Sequence, residues 1–73
     1  MLYDDLLKNF GLRLKFIRMK KSISQAQLAE LIDAHEHNIS DIERGKRNLT
    51  MKTINKIANA LEVDIARFFD FKD

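Results

Sequence analysis

The sequence contains no cysteine, no proline and only two glycines. Without cysteine, disulfides, thiolate zinc sites and cysteine nucleophiles are all excluded. Without proline, and with so little glycine, collagenous, proline-rich and glycine-loop architectures are excluded as well. No apolar run approaches the roughly 20 residues of a membrane-spanning helix, and the first residues lack the layout of a signal peptide. The expectation is a soluble cytoplasmic protein with no membrane contact. At 73 residues the chain is about half a typical domain, so one domain over residues 1–73 is predicted. Such a chain buries roughly 60% of its unfolded surface, which leaves a thin core and little room for a catalytic cleft with a supporting shell. Hydrophobic residues make up 45% and charged residues 33%, a globular balance rather than a disordered one.

The net charge of +2 is small, but it is unevenly distributed. Residues 13–21 carry Arg13, Lys15, Arg18, Lys20 and Lys21 and no acid. Residues 22–43 carry Glu30, Asp33, Glu36, Asp41 and Glu43 and no Lys or Arg. Residues 44–56 are basic again, with Arg44, Lys46, Arg47, Lys52 and Lys56. Two basic blocks thus flank an acidic one. They suit two phosphate-gripping clamps around a reading element, or else solvated helix faces.

Every long stretch has helical periodicity and none alternates with period two. Phe10, Leu14 and Ile17 form the stripe of a first helix from near Asp4 to Lys20–Lys21, whose cations suit the C-terminal dipole. Ser24-Gln25-Ala26-Gln27 is a capping-box pattern that opens a second helix with Leu28, Ala29, Leu31 and Ile32 on its apolar face. Ile39 and Ile42 mark a third helix, ended by Gly45 as a left-handed cap. Thr50 caps a fourth, striped by Ile54, Ile57, Ala58 and Leu61. Asp64 can cap a short fifth holding Ile65, Phe68 and Phe69. The predicted fold is all-α, a compact bundle of five short helices.

The second and third helices are short and joined by a very short turn, a helix-turn-helix arrangement over about residues 24–45. Ser24-Gln25-Ala26-Gln27-Leu28-Ala29-Glu30, then Ile39-Ser40-Asp41-Ile42-Glu43-Arg44-Gly45-Lys46-Arg47-Asn48, then Ile54-Asn55-Lys56-Ile57-Ala58-Asn59-Ala60-Leu61-Glu62-Val63 resemble the phage-repressor and Cro type, the XRE family of DNA-binding domains. The resemblance covers about residues 11–69. Small size and a helix in place of a longer C-terminal domain resemble the restriction–modification controller proteins. The resemblance implies a lambda-repressor-like fold and a sequence-specific transcriptional regulator of double-stranded DNA. The sequence departs from the family at His35, where a Ser or Thr often opens the reading helix. Asp33, with Glu36 as capping-box partner, is an alternative cap. Leu49 stands where the family often has proline.

On a helical wheel from Ile39, at about 100° per residue, Ile42 and His35 fall toward the core and His37, Arg44 and Asp41 point away, with Ser40 beside them. The N-terminal part of such a helix meets base edges. Glu36, His37, Ser40 and Asp41 are therefore the base-reading candidates, and they match the positions that read bases in the family. A carboxylate can accept from cytosine N4; the alternative for Glu36 and Asp41 is solvated acids pairing with nearby cations. Phosphate contacts are expected from Gln25 at the start of the second helix and from Arg44, Lys46, Arg47 and Asn48 after the third. Arg13, Lys15 and Lys21 are weaker candidates. The family pairs an arginine of the first helix with a glutamate ending the reading helix, positions matched by Arg18 and Glu43. A bidentate bridge there would lock the two helices together.

Other readings have less behind them. His35-Glu36-His37 suggests a metal or acid–base site, but residues two apart on a helix diverge and a stable zinc site takes three or four ligands. No catalytic site, metal or cofactor is expected, and neither an effector-binding domain nor a small-molecule effector is expected. An antitoxin or adaptor module that uses the fold to bind protein is the alternative function. Finally, Ile65, Phe68, Phe69 and Phe71 crowd the C-terminus. Adjacent Phe68 and Phe69 point about 100° apart, so one closes the bundle and the other is left for an interface. A homodimer through these residues is predicted; the rival is that Leu2, Leu6 and Leu7 fold back over the patch.

Overall fold

The spacing of Phe10, Leu14 and Ile17 becomes one long helix, α1, Tyr3–Lys20, with Asp4 and Asp5 at its positive end and Arg18 and Lys20 at its negative end. The computed structural model describes residues 2–71; Met1, Lys72 and Asp73, at the ends of the predicted domain, lie outside the described residues. α2 (Gln25–Leu31), α3 (Glu36–Glu43) and α4 (Met51–Leu61) follow, and a 3₁₀ helix (Ile65–Phe69) closes the order. No strand occurs among the described residues. The fifth element is thus a 3₁₀ turn rather than an α-helix. Five residues suit the tighter ladder used in short pieces. Asp64 stands at its cap position without a side-chain bond, and its carbonyl accepts from the Arg67 amide at 3.0 Å.

Two helix starts, those of α2 and α4, follow side-chain chemistry. Ser24 Oγ accepts from the Gln27 amide at 3.0 Å, and Gln27 Oε1 accepts from the Ser24 amide at 2.7 Å, a complete capping box. Thr50 Oγ1 accepts from the Thr53 amide at 3.1 Å. The helix ends share one device. Ile23 N–H reaches back to Arg18 O, Ala34 N–H to Ala29 O, Lys46 N–H to Asp41 O and Val63 N–H to Ala58 O. Each of these six-to-one bonds turns on a left-handed residue: Ser22, Asp33, Gly45 and Glu62 respectively. Asp33 is therefore the terminator of α2 and not the cap of α3. His35 takes the cap position, with extended backbone and no side-chain bond.

The core joins Phe10, Leu14 and Ile17 of α1, Leu28, Ala29 and Ile32 around α2, Ile39 and Ile42 of α3, Ile54, Ile57, Ala58 and Leu61 of α4, and Phe68. The last segment packs mainly on α1. The Phe10 ring lies 5.4 Å from Phe68 and 5.5 Å from Phe69, within the range where aromatic pairs add to area burial. Phe68 is fully buried while Phe69 keeps 38% of its surface exposed. Leu7 is buried and Leu6 half-buried, while Leu2 is exposed, so Leu2 does not fold back over the C-terminal patch.

Candidate nucleic-acid interface

The C-terminal end of α3 is clamped to α1 by backbone contact. A Cβ on Gly11 would fall 2.5 Å from the Glu43 carbonyl oxygen, and one on Gly45 would fall 2.8 Å from Lys8 Cα. Only glycine lets the two backbones approach this closely, and Gly45 also needs its φ of 72°. Gly11 went unnoticed in the sequence, where its one signal is a lone glycine inside an amphipathic helical pattern.

A buried ion pair completes the clamp. Arg18 Nε donates to Glu43 Oε2 at 2.6 Å and Arg18 Nη2 to Oε1 at 3.1 Å. Both residues are buried. Arg18 Nη1 donates to the Ile23 carbonyl at 2.7 Å, and Gln25 Nε2 donates to Glu43 Oε1 at 3.0 Å. Among the described residues no buried side-chain polar atom lacks a partner. A bidentate pair with its remaining groups satisfied holds geometry well. Here it ties α1, the start of α2 and the end of α3 into one rigid unit. The Gln25 amide, expected to meet a phosphate, is a member of this network.

With its far end held, α3 presents its first turn outward. Glu36 and His37 are exposed, while Ser40 and Asp41 are half-buried. Asp41 Oδ1 accepts from Arg44 Nη2 at 2.8 Å, so its charge is partly compensated within the helix. Arg47 Nη1 donates to Asn38 Oδ1, and the Tyr3 hydroxyl donates to Asn48 Oδ1 at 3.1 Å. Lys46 is exposed in the same turn. Glu36, His37, Ser40 and Asp41 thus share one helix, and Arg44, Lys46, Arg47 and Asn48 follow it directly. A groove between α1 and the helix-turn-helix brings Lys8 and Lys15 together with Gln25, Ser40 and Arg44. Lys8 falls outside the basic block at 13–21, and only the fold draws it to this surface.

The histidines correct one expectation. His35 does not turn toward the core: it is exposed and outside the helix. Helical divergence therefore does not apply, and the His35 and His37 rings stack with centroids 5.7 Å apart and planes 13° apart. Among the described residues no group of three or more His, Asp or Glu could hold a metal ion.

The helix-turn-helix family model matches residues 14–68. The chain is 46% identical over 63 residues to the control protein C.BamHI of Bacillus amyloliquefaciens, an overlap of 85% of this chain and 78% of that protein. The crystal structure of the restriction–modification controller protein C.AhdI from Aeromonas hydrophila superposes with a TM-score of 0.85 at 39% identity, over 92% of this chain and 96% of that one. The restriction–modification controller protein C.Esp1396I, crystallised as a tetramer in complex with its natural 35 base-pair operator, superposes with a TM-score of 0.79 at 38% identity, over 89% of this chain and 86% of that one.

Proposed function

The chain belongs to the helix-turn-helix family, and from that premise we propose that it is a sequence-specific DNA-binding transcriptional regulator of the restriction–modification controller type. It binds a pseudo-palindromic operator as a homodimer, in the cytoplasm, with no catalytic step and no cofactor. The observation that carries the reading is the clamped α3: its C-terminal end is held by Gly11, Gly45 and the Arg18–Glu43–Gln25 network, and its first turn presents Glu36 and His37 to solvent.

In this arrangement α3 enters the major groove with its first turns against base edges. Glu36, His37, Ser40 and Asp41 are the readers. A carboxylate accepts from cytosine N4, and the Ser hydroxyl and imidazole can donate or accept. The readers include two acids, so affinity comes from the flanks. Lys46, Arg47, Asn48 and Arg44 on one side, and Gln25 with Lys15 and Lys8 on the other, meet phosphates and set the register. The Asp41–Arg44 pair lowers the repulsion between an acidic helix and a polyanion.

The dimer follows from the C-terminal face. Phe68 is spent on the core, so the interface falls to Phe69 with the half-buried Ile65 and Phe71. A two-fold axis there would set two reading helices about 34–36 Å apart, one turn of DNA.

A mobility-shift titration of duplex DNA across a series of salt concentrations tests the reading. Binding that weakens linearly in log–log form with added salt is expected. No binding at low salt would instead favour the antitoxin or adaptor alternative.

A further inference from the structure

Three large apolar side chains of α1 face solvent at helical spacing. Leu12, Phe16 and Met19 are 63%, 50% and 59% exposed. At about 100° per residue they fall within an arc of about 60°, forming one stripe two turns long. The exposed Leu31 and Met51 lie on other helices, and apolar side chains scattered singly are ordinary on a protein surface.

Cations border this stripe. Arg13 Cζ lies 5.3 Å and Lys20 Nζ 5.4 Å from the centroid of the Phe16 ring, and exposed Lys15 flanks the other side. No Asp or Glu occurs from Leu6 to Ala29. Glu43 lines the groove beside Leu12 and Lys15 with its carboxylate taken up by Arg18, and Glu62 and Asp64 stand across the cleft beyond Lys20.

Leu12 also lines the groove with Lys8, Lys15, Gln25 and Arg44, so the proposed DNA surface reaches one end of the stripe but does not account for Phe16 and Met19. Phosphates can engage Lys15 but give Phe16 and Met19 no apolar partner. The C-terminal aromatic cluster packs on Phe10, which lies about 160° around α1 from Leu12. The stripe therefore lies on another side of α1 from the proposed dimer face, and Arg13, whose Nε donates to the Arg67 carbonyl at 3.1 Å, stands between the two.

We propose that Leu12, Phe16 and Met19 dock an acidic amphipathic helix of another protein. Its apolar face would lie on the stripe, as anchors at i, i+4 and i+7 do in helix recognition. Its carboxylates would meet Arg13, Lys15 and Lys20, and this charge complementarity selects an acidic partner over a basic one. The inference goes beyond DNA reading and does not depend on it.

Isotope-labelled full-length chain titrated with two synthetic helical peptides tests the proposal. Both peptides carry leucines at i, i+4 and i+7; glutamates flank the leucines in one and lysines in the other. The acidic peptide should perturb the amides of residues 12–20 and bind about tenfold or more tightly than the basic one, with affinity falling as salt rises. The neutral variants Phe16→Ser, and independently Met19→Ser, should weaken that binding about tenfold while helical circular dichroism and duplex-DNA affinity stay within about twofold of the parent. Equal binding of the two peptides, or perturbation centred elsewhere, would overturn the proposal. So would Phe16→Ser weakening duplex binding, preferential binding of phosphatidylglycerol vesicles, or dissociation of a self-associated chain by Phe16→Ser. These last three outcomes would assign the stripe to DNA, to a membrane surface or to a second copy.

Discussion

Arg18 and Glu43 stand 25 positions apart in the chain and meet through two hydrogen bonds, at 2.6 and 3.1 Å, inside the fold. Removing one partner strands a buried charge, which typically costs about 3–5 kcal/mol. Arg18→Ala and Glu43→Ala should each lower stability by an amount of that order, a large share of what so small a domain has. The double variant should lose less than the two single losses summed, with a coupling of about 0.5–3 kcal/mol. Urea denaturation of the four proteins at low temperature measures the cycle. Additive losses would show that the bridge does not form.

The left-handed residue ending α4 is Glu62, exposed and with φ of 57°. A side chain in that conformation costs about 1–2 kcal/mol, while glycine costs about 0.5–1 kcal/mol more in unfolded-chain entropy. Glu62→Gly should therefore raise stability by about 0.5–1 kcal/mol on balance. A lowered urea midpoint would contradict the cap geometry.

The contrast between readers and clamps can be measured directly. Arg47→Ala should weaken all duplexes alike and reduce the log–log salt slope by about 0.9. Asp41→Asn and His37→Ala should instead change preference among bases at one operator position, by about 1–3 kcal/mol. A changed operator preference in Arg47→Ala would reassign it as a reader. Unchanged preference in both other variants would return Asp41 and His37 to solvated surface.

The aromatic pair at the C-terminus divides two roles between neighbours. Phe68→Ala empties a fully buried site and should cost about 3–5 kcal/mol. Phe69→Glu loses the Phe10 contact and should lower stability while keeping the helical fold, and should shift sedimentation equilibrium at micromolar concentration from dimer to monomer. A monomeric parent chain would contradict the dimer.

The elements easiest to read in the sequence were those set by local chemistry. The stripes of α1 and α4, the Ser24 capping box and the Thr50 cap depend on neighbours within a turn or two. The Arg18–Glu43 pair was legible only through the family resemblance, since nothing local links residues 25 apart. Three of the four left-handed caps went unread because they fall on Ser22, Asp33 and Glu62 rather than on glycine. The sequence reads His35 as opening the third helix, with Asp33 as the alternative cap, but sets the two histidines apart as diverging helical residues, so the stacking of His35 on His37 was not legible. In the candidate site, helical spacing alone picks out Glu36, His37, Ser40 and Asp41 as the outward-facing candidates, of which Glu36 and His37 are exposed and Ser40 and Asp41 half-buried. Side-chain partners were not legible in this way: Asn38 with Arg47, and Gln25 with Glu43, meet only when loops and helices pack.

The most direct test of the central claim, that the first turn of α3 reads base edges in the major groove, is selection of bound duplexes from a randomised pool. The account predicts a pseudo-palindromic motif with half-sites about one helical turn, roughly 34–36 Å, apart, and a changed motif when His37→Ala is selected in parallel. No enrichment at low salt, or an identical motif from the parent and the variant, would contradict it.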